Sequence, residues 1–337
     1  MARAVVFGSQ GRTLRDTEAA FFRDANPWGF ILFQRNLETT DQIRRLTGDL
    51  RDAVGRDAPI LIDQEGGRVA RLTPPGWSGW TNALDFVSRL PTPAVRIAAM
   101  RLRYSVIAAE LRALGIDVNC APLGDIARPD TSPPIRERLY GTEPRAVAEL
   151  ARAVADGLAD GGVLPVLKHI PGHGRATLDS HFDLPRVTAS LKTLREGDFY
   201  PFRQLSDLPM GMTAHVVFEA LDPDRPATQS PDVIQMIRAE IGFDGLLLTD
   251  DLSMQALSGD FDARAAAALR AGCDVILHCN GDASEMRAVA GATPALQGRA
   301  MARAAAALAA RGRGADIDIA AARAKIAALS DEVRHAG

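Results

Sequence analysis

Short apolar runs alternate with longer amphipathic segments along the whole chain. The runs are too short for helices, are rich in β-branched or bulky apolar residues, and in several cases begin after Gly or Pro, so they predict buried strands. Eight runs share this character, and they cover residues 4–7, 29–33, 59–63, 116–119, 163–169, 210–215, 245–250 and 274–278.

The segments between these runs carry helix signals. Thr92 before Pro93 and Ser230 before Pro231 are typical N-cap and first-turn pairs, and Thr142 is expected to begin another helix. Strands that alternate with helices form parallel sheets, because each connection crosses over the sheet. Eight such units predict an α/β fold with a closed (β/α)8 TIM-type barrel. An open, doubly wound sheet is the main alternative.

The chain of 337 residues contains no linker-like stretch rich in Pro, Gly or Ser. We therefore expect residues 1–337 to form one catalytic barrel domain, in which the alanine-rich tail at 298–329 forms one or two helices against the barrel. A chain of this length can bury a large core without disulfides. The three cysteines, Cys120, Cys273 and Cys279, lie in apolar runs and are expected to be small core residues.

Charge and hydropathy exclude several classes of protein. The chain has 39 basic and 42 acidic residues, a net charge of −3, which gives no indication of a nucleic-acid partner or an anionic membrane surface. The first ten residues lack a secretory leader pattern, and no apolar stretch approaches the roughly 20 residues needed to cross a bilayer. We therefore expect a cytoplasmic protein that does not bind membranes.

Polar residues stand where the predicted strands end. In a β/α barrel the functional residues lie at the carboxyl ends of the strands, and a buried sheet has no packing reason to end in charge so often. The residues at these positions are Asp63, Asn119, Lys168, His169, His215, Asp250 and Asp251. Together with Arg71 and Arg138, the charged members Asp63 and Lys168 form a candidate clamp for sugar hydroxyls, although each alone is more typical of a solvated surface.

The pair Asp250-Asp251 ends the seventh predicted strand. Neighbouring side chains on a strand point to opposite faces, so only one of the two carboxylates can face the barrel axis. That carboxylate could attack an electrophilic carbon or stabilise a cation. The alternative is that both residues cap the following helix.

Asp179 and His181 lie in a segment of about 17 residues, between Lys168 and Pro185, that has neither helical nor strand periodicity; loops this long are usually functional. An aspartate two residues before a histidine can fix the tautomer of the imidazole and tune it for proton transfer near neutral pH. The alternative is an ordinary surface turn.

Four segments together resemble the bacterial β-N-acetylhexosaminidases of glycoside hydrolase family 3. They are IDQEGGRV at 62–69, KHIPGHG at 168–174, DSH at 179–181 and TDDLSM at 249–254. The second and third are the specific elements. The family's larger β-glucosidases draw on a second domain, which is not expected here because the eight predicted barrel units take up almost the whole chain.

The resemblance implies roles for individual residues. Asp250 would be the nucleophile and would form a covalent glycosyl intermediate, so that the anomeric configuration is retained. His181 would protonate the leaving oxygen and then activate water, with Asp179 as its partner. The sugar-contacting positions would be Asp63, Arg71, Arg138, Lys168 and His169.

Two assignments within the resemblance are less direct. Arg136 could be confused with Arg138, because the preceding segment is richer in proline and charge than the family pattern. His173 is expected to have a structural role.

The implied function is that of a retaining exo-β-N-acetylglucosaminidase of cell-wall recycling, cytoplasmic and without metal or cofactor. Its partners would be small saccharides, either muropeptides or chitin oligosaccharides, and a monomer is expected. Two alternatives remain open. His169, His173, His181, Asp179 and Asp250 could hold a divalent cation in a metal-dependent barrel hydrolase, and a barrel can also be a non-enzymatic sugar-binding protein.

Overall fold

The computed structural model describes residues 1–178 and 183–331. Eight parallel strands close into a barrel, with the last strand paired to the first. The strands are Arg3–Gly8 (β1), Pro27–Leu32 (β2), Ile60–Ile62 (β3), Val118–Asn119 (β4), Leu164–Ile170 (β5), Met210–Thr213 (β6), Leu246–Asp251 (β7) and Val275–His278 (β8). The predicted (β/α)8 barrel is confirmed, and the open sheet is wrong.

Helices fill the connections on the outside of the barrel. They are Asp16–Ala25 (α1), Thr40–Val54 (α2), Ala83–Ser88 (α3), Pro93–Arg112 (α4), Pro133–Arg136 (α5), Pro144–Asp160 (α6), Leu191–Thr193 (α7), Tyr200–Gln204 (α8), Pro231–Met236 (α9), Phe261–Ala271 (α10), Ala283–Ala292 (α11), Gly298–Ala309 (α12) and Ile319–Asp331 (α13). Short 3₁₀ turns cover Gln34–Asn36 and Ala227–Gln229, π-helical turns cover Leu194–Asp198 and Ile237–Ile241, and two short strands, Arg186–Val187 and Val217–Phe218, pair outside the barrel.

The predicted helix starts are mostly confirmed. The side chains of Thr92 and Ser230 each accept a hydrogen bond from the backbone N–H three residues later, as N-caps do. The helix expected to begin at Thr142 begins instead at Pro144, with Glu143 as its N-cap. The fixed φ of proline suits the first helical position, which explains the shift of two residues.

Strand alternation divides the core into two layers. Leu246 and Leu248 belong to a cluster that fills the barrel interior, whereas Leu247 belongs to the larger cluster between the strands and the helices. Cys120 and Cys279 belong to the interior cluster and Cys273 to the outer one, and all three are buried and free, as expected. Alternate residues of each strand therefore face the axis, and this fixes which polar residues can meet at the barrel mouth.

The amino-terminal end of the barrel is closed by α12. Ala304 and Ala307 of this helix join the interior cluster, and Arg303 pairs with Asp274, which immediately precedes β8. Farther along the tail, α13 packs against α4. No helix in the described parts of the chain is long and apolar enough to cross a membrane. The assignment of residues 1–337 to a single domain stays a prediction.

Two substitutions on α12 test its role as the closure of the barrel. Ala307→Asp should lower the free energy of unfolding by about 3 kcal/mol or more, because it buries an unpaired carboxylate against the apolar interior. Ala305→Asp places the same charge at an exposed position of the same helix and should change stability by no more than about 0.5 kcal/mol. Urea unfolding of both variants measures the difference, and equal stabilities would contradict the assigned role of α12.

Candidate active site

The interior of the barrel changes from apolar to charged at its carboxyl-terminal end. Asp63, Lys168 and Asp250 each stand two residues after an apolar residue of the interior cluster, on or just beyond β3, β5 and β7. The period of two along a strand gives these residues the same inward direction as the apolar residues below them. Three strands that are distant in sequence thus deliver charged groups to one end of the barrel.

Lys168 joins two carboxylates. Its Nζ lies 3.0 Å from Oδ1 of Asp63 and 2.7 Å from Oε1 of Glu65, and its side chain is only 3% exposed. Arg71 donates from Nη2 to the other oxygen of Asp63 at 3.1 Å. Burial alone would raise the pKa of Asp63, but Lys168 and Arg71 outweigh it and hold that pKa well below its usual value. Asp63 is therefore ionised at neutral pH.

Arg138 forms the next link of the cluster. It grips Glu65 with a two-point fork, from Nε to Oε2 at 2.9 Å and from Nη2 to Oε1 at 2.8 Å, and Nη2 lies 3.4 Å from Nε2 of His169. Arg136 donates instead to the backbone oxygens of Arg128 and Pro129. Of the two arginines, only Arg138 belongs to this cluster.

Asp125 binds the imidazole of His169 on the side opposite Arg138. Nδ1 of His169 lies 2.7 Å from Oδ2 of this fully buried aspartate, which also accepts the backbone N–H groups of His169 and His173. An imidazole that donates from Nδ1 presents Nε2 towards Arg138. The cluster thus runs without interruption from Arg71 to Asp125. Burial lowers the pKa of His173 to about 4, which agrees with a neutral, structural imidazole.

Asp250 is the inward member of the aspartate pair. The pairing between β7 and β8 shifts by one residue at this point, and such bulges often re-aim side chains beside active sites. Burial alone would raise the pKa of Asp250, but attraction from neighbouring groups, chiefly His169, lowers it below the usual value. Within the described residues its side chain accepts a hydrogen bond only from the backbone N–H of Asp251.

Asp251 is committed to the local structure. Oδ1 accepts the backbone N–H groups of Cys279 and Ser253, and Oδ2 accepts the hydroxyl of Ser253. The two aspartates therefore have different environments, and the interpretation that both cap the following helix is wrong. Of the two aspartates, Asp250 is the one whose side chain the described residues leave available to a ligand.

The loop that carries Arg71 is shaped by Gln64. Its side-chain oxygen accepts the backbone N–H groups of Arg71 and Leu72, and its backbone exchanges two hydrogen bonds with the side chain of Asn119 at the end of β4. The polar residue that ends β4 thus orients the loop rather than a ligand.

Asp179 and His181 lie outside the described residues, and their proposed pairing stays a prediction. Among residues 1–178 and 183–331, no group of three or more His, Cys, Asp or Glu side chains could hold a metal ion. Because two of the five suggested ligands are not described, the absence of a metal also stays a prediction.

Comparison with known proteins decides the family. The model of the glycosyl hydrolase family 3 N-terminal domain matches residues 6–310. A β-hexosaminidase of Alkalilimnicola ehrlichii is 38% identical over 292 residues, which cover 82% of this chain and 80% of the relative. This chain belongs to glycosyl hydrolase family 3. It is a glycoside hydrolase, of the β-hexosaminidase group.

Two solved structures have the same fold. NagZ from Neisseria gonorrhoeae in complex with N-trifluoroacetyl-D-glucosamine is 31% identical, with a TM-score of 0.86 and coverage of 98% of both chains. A family 3 β-N-acetylglucosaminidase from Paenibacillus sp. gives the same TM-score at 29% identity, and this chain spans only 66% of that longer protein.

Three residues of this family 3 site are not predicted as site residues from the sequence. Glu65 and Asp125 bind the cations and imidazole of the cluster, and His215 supports the aspartate pair. Nε2 of His215 donates to the backbone oxygen of Asp251 at 3.0 Å, while Nδ1 lies 2.7 Å from Oγ1 of Thr228. In the sequence, His215 ends a predicted strand and Glu65 belongs to the motif at 62–69, but Asp125 carries no local signal.

The charge cluster should contribute to the stability of the hydrolase in a pH-dependent way. Asp63→Asn should cost about 3 kcal/mol at pH 7, because it removes a carboxylate shared by two cations. The folded-state pKa of Asp63 is depressed, so its contribution is present above the unfolded value of about 4 and declines as the pH falls below it.

Urea unfolding at pH 7, 4 and 2 tests this expectation. The stability difference between the wild type and Asp63→Asn should narrow towards pH 2. Glu149→Gln, which removes an exposed pair on α6, is the matched control and should cost no more than about 1 kcal/mol at any of these pH values. A difference that is constant with pH would contradict the assigned ion pairs.

Proposed function

We propose that this hydrolase is a retaining exo-β-N-acetylglucosaminidase with Asp250 as its nucleophile. The observation that carries the proposal is the contrast between carboxylates at the barrel mouth. Asp63, Glu65 and Asp125 are each bound to a cation or an imidazole, whereas Asp250 accepts only a backbone N–H among the described residues. An ionised carboxylate that is partly exposed and not engaged by a cation is suited to attack a sugar carbon.

The proposed reaction has two displacements. In the first, a carboxylate oxygen of Asp250 bonds to the anomeric carbon while the bond to the leaving oxygen breaks and His181 gives that oxygen its proton. In the second, water attacks the anomeric carbon, His181 takes the proton of that water, and the ester to Asp250 breaks. Two inversions at one carbon give net retention.

The roles of His181 and Asp179 rest on the DSH segment. An imidazole near its ordinary pKa can give and take a proton at neutral pH, as an acid/base group must. The charges at the barrel mouth favour a proton donor other than the described carboxylates. Neighbouring groups lower the pKa values of Asp63, Glu65 and Asp125, and that of Asp250 as well, so none of these carboxylates is suited to donate a proton at neutral pH.

The sugar would be held by Asp63, Arg71, Arg138, Lys168 and His169. These residues offer ionised acceptors and charge-assisted donors, which form the stronger class of hydrogen bond to hydroxyl and amide groups. The complex of the gonococcal relative with N-trifluoroacetyl-D-glucosamine supports an N-acylated glucosamine as the bound sugar. Family membership further suggests muropeptides, with chitin oligosaccharides as the other natural substrates, and a cytoplasmic monomer that needs no metal or cofactor.

Removal of the proposed nucleophile tests the mechanism. Asp250→Ala should lower kcat on 4-nitrophenyl N-acetyl-β-glucosaminide by about 10⁴-fold or more, because no other described carboxylate at the mouth is free to replace it. The variant should unfold at a temperature close to that of the wild type and should still bind N-acetylglucosamine in calorimetry. Retained turnover would rule out Asp250 as the nucleophile.

The stereochemistry and the metal requirement can be checked with the wild-type enzyme. Proton NMR early in the reaction should detect the β-anomer of N-acetylglucosamine before mutarotation, and activity should survive treatment with a chelator. Early appearance of the α-anomer would contradict the covalent mechanism. Loss of activity with EDTA, restored by a divalent cation, would favour the metal-dependent alternative.

A further inference from the structure

We propose that Glu65 is a positioning residue that holds Arg138 and Lys168 in the orientation in which they meet the sugar. The inference deepens the proposed function and rests on it. Glu65 would not itself touch the substrate, because both of its carboxylate oxygens are engaged and its side chain is only 3% exposed. Asp63 differs because its side chain is 17% exposed, and Lys168 differs because its ammonium keeps a third donor.

The bonds of Glu65 leave defined groups of its partners available. The guanidinium of Arg138 commits Nε and Nη2 to the carboxylate, so it is fixed in its plane at two points. Its third nitrogen, Nη1, forms no hydrogen bond within the described part of the chain, and the side chain is 9% exposed. A guanidinium held in this way offers one free edge in a fixed direction.

Lys168 depends on Glu65 in the same way. Its ammonium has three donors, of which one faces Asp63 and one faces Glu65. Without Glu65, Asp63 would be the only carboxylate among the described residues that forms an ion pair with Lys168, and Asp63 is itself proposed to contact the sugar. The ammonium could then move towards Asp63 and compete with the substrate for its oxygens.

The backbone of Glu65 is held by α4. The hydroxyl of Tyr104 and Nη2 of Arg103 donate to the backbone oxygen of Glu65 at 2.8 and 3.2 Å. Arg103 is fully buried, and its guanidinium lies over the rings of Trp80, Phe86 and Tyr104 at 5.0 to 5.8 Å. A polar connection thus runs from α4 through Glu65 to the proposed sugar contacts.

The contact between Arg103 and the backbone of Glu65 requires a glycine at the next position. Gly66 has φ +86°, and a Cβ at this position would lie 2.2 Å from Nη2 of Arg103. The glycine therefore lets the arginine approach the backbone of Glu65 directly. The motif at 62–69 thereby contains both the positioning carboxylate and the space for the group that fixes its backbone.

A variant at a matched site distinguishes a purely structural role of Glu65 from a positioning role. Asp274 is also a buried carboxylate with two cationic partners, Arg238 at 2.6 Å and Arg303 at 3.1 Å. It lies at the opposite end of the barrel, immediately before β8. Loss of either carboxylate charge should lower thermal stability, but only loss of the one at position 65 should disturb the proposed sugar contacts.

The experiment compares Glu65→Gln with Asp274→Asn on 4-nitrophenyl N-acetyl-β-glucosaminide. Both variants should unfold at a lower temperature than the wild type. Glu65→Gln should raise KM by on the order of tenfold or more, with a smaller change in kcat, because contacts made in both ground and transition states are weakened. Asp274→Asn should keep the KM of the wild type, and calorimetry with N-acetylglucosamine should report the same ranking of affinities.

Tyr104→Phe provides a milder variant in case Glu65→Gln does not fold. It keeps the ring and removes one donor to the backbone oxygen of Glu65, so KM should rise in the same direction by a smaller factor. An unchanged KM in Glu65→Gln, or in Tyr104→Phe where only that variant folds, would overturn the positioning role. If the wild type does not cleave the glycoside at all, the proposed function fails instead, so the two failures are distinguishable.

Discussion

Charge at the mouth of the barrel must be compensated, because it stands directly above an apolar interior. An unpaired ion in such surroundings is costly, whereas ions that are paired and hydrogen-bonded can be retained. The chain meets this constraint with a cluster in which Arg71, Asp63, Lys168, Glu65 and Arg138 alternate in sign. Each of the three inner members, Asp63, Lys168 and Glu65, pairs with two oppositely charged neighbours, and the two arginines stand at the ends.

The same pairing of charges also prepares the site for a ligand. Side chains held by two partners keep their orientation, so a ligand meets donors and acceptors that are already in place and little ordering is needed on binding. Asp250 differs from the other carboxylates of the mouth because, within residues 1–178 and 183–331, its hydrogen-bond donor is a backbone N–H rather than a cation. Attraction from neighbouring groups, chiefly His169, lowers the pKa of Asp250 against the effect of burial.

Local sequence patterns predicted the barrel architecture and some of the residues at its mouth. Short continuous apolar runs between amphipathic segments predicted the eight strands, and the alternation of side chains along a strand implied that only one residue of Asp250-Asp251 faces the axis. The pairing of Glu65 with Arg138 spans 73 residues and that of Asp125 with His169 spans 44. No local period encodes contacts of such separation, which arise only when the barrel brings the carboxyl-terminal end of β5 together with the segments that follow β3 and β4.

The distinction between Arg136 and Arg138 illustrates this limit. Both are arginines in one short segment, and the sequence left either as the candidate sugar contact. Their surroundings differ because α5 ends at Arg136, which donates to backbone oxygens, whereas Arg138 lies beyond the helix and reaches Glu65. The geometry of a helix end, rather than residue type, separates them.

The most direct test of the account is to trap the covalent intermediate. An N-acetylglucosaminyl fluoride that carries a second fluorine on the ring should slow both displacements and allow the glycosyl-enzyme to accumulate. After proteolysis, mass spectrometry should find one sugar adduct on the peptide that contains Asp250 and on that residue in fragmentation spectra. An adduct on another carboxylate would contradict the account, as would its appearance on the same peptide in the Asp250→Ala variant.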